Sequence, residues 1–189
     1  MVTTSTIMDA EQFAQGLTWE QYAASLQSNK DAFIRNYETF KVSEEDAAFF
    51  RAFNQRKGGQ VKMVIIGEDW CPDVVRGLPI AVRVAEAGGM DVRIFPRDQH
   101  QDLMAHYLWR HEYASIPVVI FYTQDGKELG HWIERPAIGY KQMAELTDAL
   151  ASLTEEQRRE ETRKRRAEWQ ELWKQETVRE LRELLYRVM

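Results

Sequence analysis

The sequence is poor in cysteine: Cys71 is the only one among its 189 residues. A lone cysteine excludes an internal disulfide framework, because no second thiol is present to pair with it. Free cysteines are also typical of proteins that work in a reducing compartment. Any disulfide this chain forms must therefore involve a thiol from another molecule.

Long apolar runs and a basic N-terminus are also missing. Residues 1–9 have neither the basic segment nor the apolar run of a secretory signal. The longest apolar run, residues 116–122, is far too short to cross a bilayer. The formal net charge of -5 gives no general reason to expect nucleic acid as a partner. We therefore predict a soluble, cytoplasmic protein without a membrane or nucleic-acid partner.

The first third of the chain has helical patterns. Hydrophobic residues make up 44% of the sequence, which is enough for a real core. Helices are predicted over residues 19–28, where Thr18 and Gln21 resemble a capping box, over residues 30–40, and from Ser43 to just before residue 58. We interpret residues 1–60 as a helical N-terminal extension that caps the main domain.

Residues 61–153 alternate between strand and helix patterns. Strands are predicted at 61–66, 91–95, 118–122 and 127–132, the last two joined by a hairpin at Asp125-Gly126. Helices are predicted at 72–86, from Asp98 to about residue 110, and at 140–150. This order implies an α/β domain with a mixed sheet flanked by helices.

The tail, residues 154–189, is a charged amphipathic helix. Glu and basic residues recur four apart, which supports a solvated helix. The basic cluster at 163–166 is balanced by acidic neighbours, so we interpret it as a solvated face rather than an RNA site. An apolar stripe also runs along the helix: Trp169, Trp173, Val178, Leu181, Leu185 and Val188. Something must cover this stripe, and we expect the N-terminal helices to do so, with dimerisation as the lesser option.

The stretch from Glu68 to Val74 is the most informative for chemistry. Cys71 follows a buried strand and precedes a helix, where unpaired N–H groups can stabilise a thiolate and lower its pKa. The neighbouring carboxylates oppose this lowering of the pKa, because nearby negative charge disfavours the negative thiolate. They belong to Glu68, Asp69 and Asp73. A buried, inert thiol is the alternative. Asp69 and Asp73 are therefore candidate modulators of the thiol pKa.

Three features resemble the thioredoxin family: Trp70-Cys71 after a strand, Pro79 in the following helix, and Ile116-Pro117 before another strand. The resemblance implies a thioredoxin fold over residues 61–150 and a cis Ile116–Pro117 bond facing Cys71. It is closer still to a bacterial thioredoxin-like subgroup with a Glu-Asp-Trp-Cys-x-Asp run and an Arg-Pro pair, here Arg135-Pro136. Members of that subgroup also carry a helical N-terminal extension.

Two departures from the family pattern change the expected chemistry. Val74 stands where the second cysteine would fall, and Ile65 stands where the buried acid would fall. The second cysteine normally resolves the mixed disulfide, so turnover would need an external thiol. The four histidines match no metal signature, and we expect neither a metal nor a cofactor.

Two functions remain open. In the first, Cys71 is the nucleophile of a monothiol protein in thiol redox chemistry or thiol-dependent binding. The residues that would bind its substrate are Trp70, Pro72, Ile116 and Pro117. The partner would be a thiol- or disulfide-bearing protein or a low-molecular-weight thiol, and the chain a monomer or homodimer. In the second, the chain is a non-catalytic interaction module and Cys71 is incidental.

Overall fold

The computed structural model describes residues 8–189. Four helices come first: α1 (Ala10–Gln15), α2 (Trp19–Ser25), α3 (Lys30–Thr39) and α4 (Glu44–Arg56). The Thr18/Gln21 capping box is present, and Ser43 caps α4. Helix α2 ends three residues earlier than predicted, because the chain turns extended at Leu26.

The domain that follows contains strands β1 (Lys62–Gly67), β2 (Asp91–Pro96), β3 (Val118–Tyr122) and β4 (Glu128–Ile133). They form one sheet in the order β2-β1-β3-β4. Strand β1 pairs parallel with β2 and antiparallel with β3, and β3 pairs antiparallel with β4. The two central strands, β1 and β3, are almost wholly buried, as their continuous apolar sequences require.

Helices α5 (Pro72–Gly88), α6 (Gln101–Met104) and α7 (Ala137–Ala149) belong to the same domain. Helix α5 follows β1 directly, and α3 and α4 pack against it. The predicted α/β fold class is confirmed: a mixed sheet is flanked by helices, with helical extensions at both ends. None of the helices between residues 8 and 189 has both the length and the apolar character that a bilayer span requires.

The helix predicted from Asp98 to about residue 110 is wrong. Asp98 lies in a short 3-10 turn, and α6 has only one turn. The backbone of Arg110 and His111 is left-handed, with φ of 53° and 60°, and two such residues in succession cannot continue a right-handed helix. Trp109, just before them, instead stacks on Tyr140 of α7, with ring centroids 5.3 Å apart.

The last helix, α8 (Glu155–Tyr186), begins at Thr154 with a capping box and folds back on the domain. Its main neighbours are α5 and β4, and α4 and α7 also contact it. The expectation that it packs against the N-terminal helices is therefore wrong for most of its length. It holds only near the C-terminus, where Arg182 forms ion pairs with Glu45 and Asp46 of α4, each at 2.9 Å.

The reason lies in small residues on the domain surface beneath α8. Leu184 packs so closely on Gly130 of β4 that a Cβ atom there would lie 2.9 Å from its Cδ1. Trp173 packs on Gly139 of α7 and on the guanidinium of Arg76 in α5. Trp173, Leu181 and Leu185 are buried, as expected for a helix that packs on the domain.

Candidate active site around Cys71

Cys71 is the N-cap residue of α5, with Pro72 at the first helical position. Its side chain is half-buried. The backbone N–H groups of Asp73 and Val74, in the first turn of the helix, favour the thiolate and lower the pKa of the thiol. The local sequence explains this geometry, because proline is favoured at the first turn of a helix, where its missing N–H is not needed.

The Ile116–Pro117 loop lies directly opposite the cysteine. The Ile116–Pro117 bond is cis, the isomer that the resemblance implies. The Cys71 thiol donates to the Ile116 carbonyl oxygen, with 3.7 Å between Sγ and oxygen. Gly77 of α5 permits this close approach, since a Cβ atom there would lie 3.2 Å from Cγ of Pro117.

The four predicted substrate-binding residues surround Cys71 but differ in exposure. Trp70 is 50% exposed, and the Arg97 guanidinium lies 5.0 Å from the centroid of its ring. Pro72 is exposed as well. Ile116 and Pro117 are buried. A molecule approaching Cys71 would therefore meet Trp70 and Pro72 first.

The pKa of Cys71 is raised above the ordinary value for a cysteine. Burial is the largest cause, because it removes solvation from the thiolate. The Asp73 carboxylate raises the pKa further, while the Arg166 guanidinium lowers it. The net effect is a sulfur that is protonated at neutral pH.

Asp69 acts on the backbone of the N-terminal extension. Its Oδ2 accepts hydrogen bonds from the backbone N–H groups of Gln27 and Ser28, at 2.7 and 2.8 Å. The side-chain amide of Asn29 donates to the Asp69 carbonyl oxygen at 2.8 Å. Asp69 therefore holds the loop between α2 and α3 against the turn that carries Cys71.

Asp73 is a buried carboxylate held by three arginines. Arg76 bonds to Oδ1 at 2.7 Å, while Arg135 and Arg166 both bond to Oδ2 at 2.8 Å. Arg76 and Arg135 come from the domain, and Arg166 comes from α8. Asp73 therefore joins the C-terminal helix to the Cys71 turn.

The comparisons with known proteins bear on this arrangement. The family model described as thioredoxin matches residues 16–151. The chain belongs to the thioredoxin family. No curated protein matches it significantly.

Two solved structures share the thioredoxin fold along nearly the whole chain. One is a protein of unknown function from Pseudomonas aeruginosa, 15% identical, with a TM-score of 0.68; the match covers 96% of this chain and 99% of that one. The other is an HIV epitope-scaffold, 17% identical, with a TM-score of 0.65; the match covers 95% and 98%. At these identities the likeness concerns the fold alone.

Val74 and Ile65, the two departures from the thioredoxin pattern, both lie in the interior of the domain. Val74 is fully buried and packs on Gly67, where a Cβ atom would lie 2.7 Å from Cγ1 of Val74. Ile65, in the middle of β1, is also fully buried. Aliphatic side chains thus fill both positions where a thioredoxin would carry a second thiol and a buried acid.

No histidine contributes to the pKa of Cys71 among the causes that shift it. His111 is exposed, on the left-handed turn that follows Trp109. Within residues 8–189, no group of three or more His, Cys, Asp or Glu side chains is arranged to hold a metal ion.

Arg166 is the site residue that sequence reasoning missed. It stands in the basic cluster that we interpreted as a solvated face, yet its guanidinium reaches Asp73 and influences Cys71. A signal was present: Arg166 lies three residues before Trp169 and seven before Trp173, so helical periodicity puts it on the apolar stripe.

Proposed function

We propose that this protein is a monothiol member of the thioredoxin family that forms mixed disulfides through Cys71. The observation that carries the proposal is the position of its only cysteine. Cys71 lies at the N-terminus of α5, against the Ile116–Pro117 loop, with Val74 where a resolving thiol would stand. We place this exchange in the bacterial cytoplasm, where external thiols are abundant.

The exchange needs one external disulfide. The Cys71 thiol first gives its proton to solvent, and the thiolate attacks one sulfur of the disulfide. The disulfide's S–S bond breaks, a new S–S bond to Cys71 forms, and the second sulfur leaves as a thiolate. Because Val74 cannot resolve this adduct, an external thiolate must attack it and restore Cys71.

The raised pKa of Cys71 makes the mixed disulfide long-lived. A thiol with a high pKa supplies little thiolate at neutral pH, so attack is slow. The same thiol is also a poor leaving group, so an external thiolate displaces it slowly. These properties favour thiol-dependent binding of a partner over rapid turnover.

We also propose membership of the bacterial subgroup with the Glu-Asp-Trp-Cys-x-Asp run and the Arg-Pro pair. Support comes from contacts between the motif residues. Asp73 ends the run and Arg135 opens the pair, and their side chains meet at 2.8 Å. Two motifs far apart in sequence therefore form one cluster beside Cys71.

A non-catalytic interaction module is the second candidate, and the raised pKa of Cys71 favours it. Its contact surface would include the exposed Trp70, and the Asp69 and Asp73 contacts would serve only to attach the two extensions. In that case Cys71 would be a half-buried thiol without a reaction of its own.

Mixed-disulfide formation with hydroxyethyl disulfide, followed by mass spectrometry at pH 8, separates the two candidates. The monothiol proposal predicts one adduct on the folded wild-type protein and none on Cys71→Ser. The interaction-module candidate predicts an adduct only after unfolding in urea.

A companion variant, Val74→Cys, tests the missing resolving thiol. The wild-type protein with a reductase alone should not reduce insulin disulfides, because no second thiol releases the adduct. Val74→Cys should gain measurable insulin reduction. Its mixed-disulfide adduct should no longer be stable, because the new thiol would displace it and form an internal disulfide with Cys71. Robust wild-type turnover without added thiol would contradict the monothiol mechanism.

A further inference from the structure

A groove runs between the N-terminal end of α5 and the first half of α8. Its volume is about 560 Å³, which is within the range of small-molecule sites. Pro72 and Arg76 of α5 line one wall, and Arg158, Arg163, Arg166 and Trp173 of α8 line the other.

The groove is strongly cationic although the chain is acidic. Five arginines line it, including Arg159, against one carboxylate, Glu155, while the whole chain has a formal net charge of -5. Most of these charges are already paired: Arg76 and Arg166 with Asp73, Arg159 with Glu155, and Arg163 with Glu160. Arg158 instead contacts a backbone carbonyl, Ala151 O, at 3.4 Å. The lining therefore keeps an excess of positive charge, which attracts anions.

The floor of the groove contains a buried cation with an unused donor. Arg76 is only 3% exposed, and its guanidinium lies 4.9 Å from the centroid of the Trp173 ring. Within residues 8–189, its Nε has no hydrogen-bond partner. A buried donor without a partner is costly, but this Nε is itself closed to solvent, so a ligand would meet the arginines of α8 first.

Two residues connect the groove to the reacting sulfur. Pro72 lines it and is bonded to Cys71 in the chain. Arg166 lines it as well, and its charge acts on the Cys71 thiol. Cys71 itself does not line the groove, but the groove ends at its neighbour Pro72, so a ligand that extends past Pro72 would reach the sulfur.

We infer that this groove binds low-molecular-weight disulfides that carry carboxylate groups and presents their S–S bond to Cys71. The inference rests on the proposed monothiol function and names the substrate class of that site. Carboxylates fit the arginine wall, because guanidinium groups bind them through paired hydrogen bonds. The limited volume favours a small molecule over an acidic segment of a protein.

Three small disulfides of similar size test the charge preference: dithiodiglycolate with two carboxylates, neutral hydroxyethyl disulfide, and cystamine with two ammonium groups. Adduct formation on Cys71 is timed at pH 8 and low salt, and each rate is divided by that of a free thiol of low molecular weight. We expect dithiodiglycolate to react on the order of tenfold faster than the neutral disulfide, and cystamine to react slowest. The preference should shrink as salt is added.

The matched variants each remove two arginines from α8. Arg158→Gln with Arg163→Gln removes charge from the groove, and Arg179→Gln with Arg187→Gln removes the same charge outside it. We expect the first pair to reduce the ratio of anionic to neutral rates to near one and the second pair to preserve it. Equal rates in the wild-type protein, or an unchanged ratio in the groove variant, would overturn the inference.

Calorimetry with the Cys71→Ser protein separates this inference from the proposed function. If Cys71→Ser binds dithiodiglycolate saturably but the wild-type protein forms no adduct, the groove is a binding site and the exchange function is refuted. If the wild-type protein forms adducts but shows no charge preference, the exchange function holds and the groove inference is refuted. Binding of a polyglutamate peptide but not of dithiodiglycolate would show that the groove serves acidic protein segments instead.

Discussion

The two sides of the Cys71 turn are attached to different extensions of the chain by different physical means. On the N-terminal side, the half-buried Asp69 accepts backbone N–H groups of Gln27 and Ser28. On the C-terminal side, the buried Asp73 is surrounded by arginines, one of them from α8. Both extensions therefore reach the turn that carries the candidate nucleophile.

The difference between the two attachments predicts which of them the fold depends on. Two backbone donors near solvent can find water when Asp69 is removed. The arginines around Asp73 could not all bond to water if Asp73 were removed, because Arg76 is buried together with it. Removing one partner of a buried ion pair leaves an uncompensated charge, which costs far more than losing an exposed one. The C-terminal attachment should therefore contribute more stability.

Removing the C-terminal helix by ending the chain at Leu153 should have the largest effect. Trp173, Val178, Leu181 and Leu185 are buried, and each such side chain contributes about 1.5–3 kcal/mol. Their sum is comparable with the whole stability of a typical domain, about 5–15 kcal/mol. We expect a melting temperature far below wild type, or aggregation in size-exclusion chromatography. An unchanged melt and elution volume would show that α8 is a free helix.

Two leucines of α8 provide a matched point test of the same packing. Leu181 is fully buried and Leu172 is 42% exposed. Leu181→Ala should lower the free energy of unfolding by about 2–5 kcal/mol, and Leu172→Ala by no more than about 0.5 kcal/mol. Equal effects in urea denaturation would contradict the packing described here.

Asp73→Ala should have the next largest effect, a loss of about 3–5 kcal/mol, because it orphans the buried Arg76. Asp98→Ala is the control, since Asp98 forms an exposed pair with Arg97 worth about 0–1 kcal/mol. Urea denaturation measures both values. A loss for Asp73→Ala no greater than that of the control would show that the arginine cluster adds nothing to stability.

Asp69→Ala should cost less, about 1.5–3 kcal/mol, the range for hydrogen bonds to a charged group. Its effect should also be local. Hydrogen exchange at the amides of Gln27 and Ser28 should accelerate, while amides in β1 should change only as much as global stability does. Asp31→Ala, an exposed site on α3, should leave both amides protected. Unchanged exchange at Gln27 and Ser28 in Asp69→Ala would contradict the attachment.

Arg166→Gln should lower stability less than Asp73→Ala does, because Arg76 and Arg135 still hold Asp73, but it should have a definite effect on the thiol. The Arg166 charge favours the thiolate, so its loss should raise the pKa of Cys71 and slow alkylation by iodoacetamide at pH 8. Asp73→Asn should shift the pH profile in the opposite direction, because a negative charge is removed. Arg179→Gln should leave the profile unchanged. A shift in the same direction for Arg166→Gln and Asp73→Asn would refute this electrostatic account.

Most of the fold was predictable because local patterns and tertiary needs agree. The apolar runs of β1 and β3 match strands buried on both faces, and the capping residues Thr18 and Ser43 begin the helices they predict. The exception is the segment after Asp98. There a stacking contact between Trp109 and Tyr140, far apart in sequence, competes with local helix propensity.

The sequence by itself determined that one kind of chemistry, an internal dithiol–disulfide cycle, is absent. One cysteine, with Val74 and Ile65 at the positions of the resolving thiol and the buried acid, excludes an internal dithiol cycle whatever the fold. Only the tertiary structure decided what the flanking aspartates do. Asp69 and Asp73 looked alike as neighbours of a thiol, but their partners lie 41 or more residues away for Asp69 and as far as 93 for Asp73. The energy between two charges depends on their distance in space and on their burial, and the local sequence around each aspartate specifies neither.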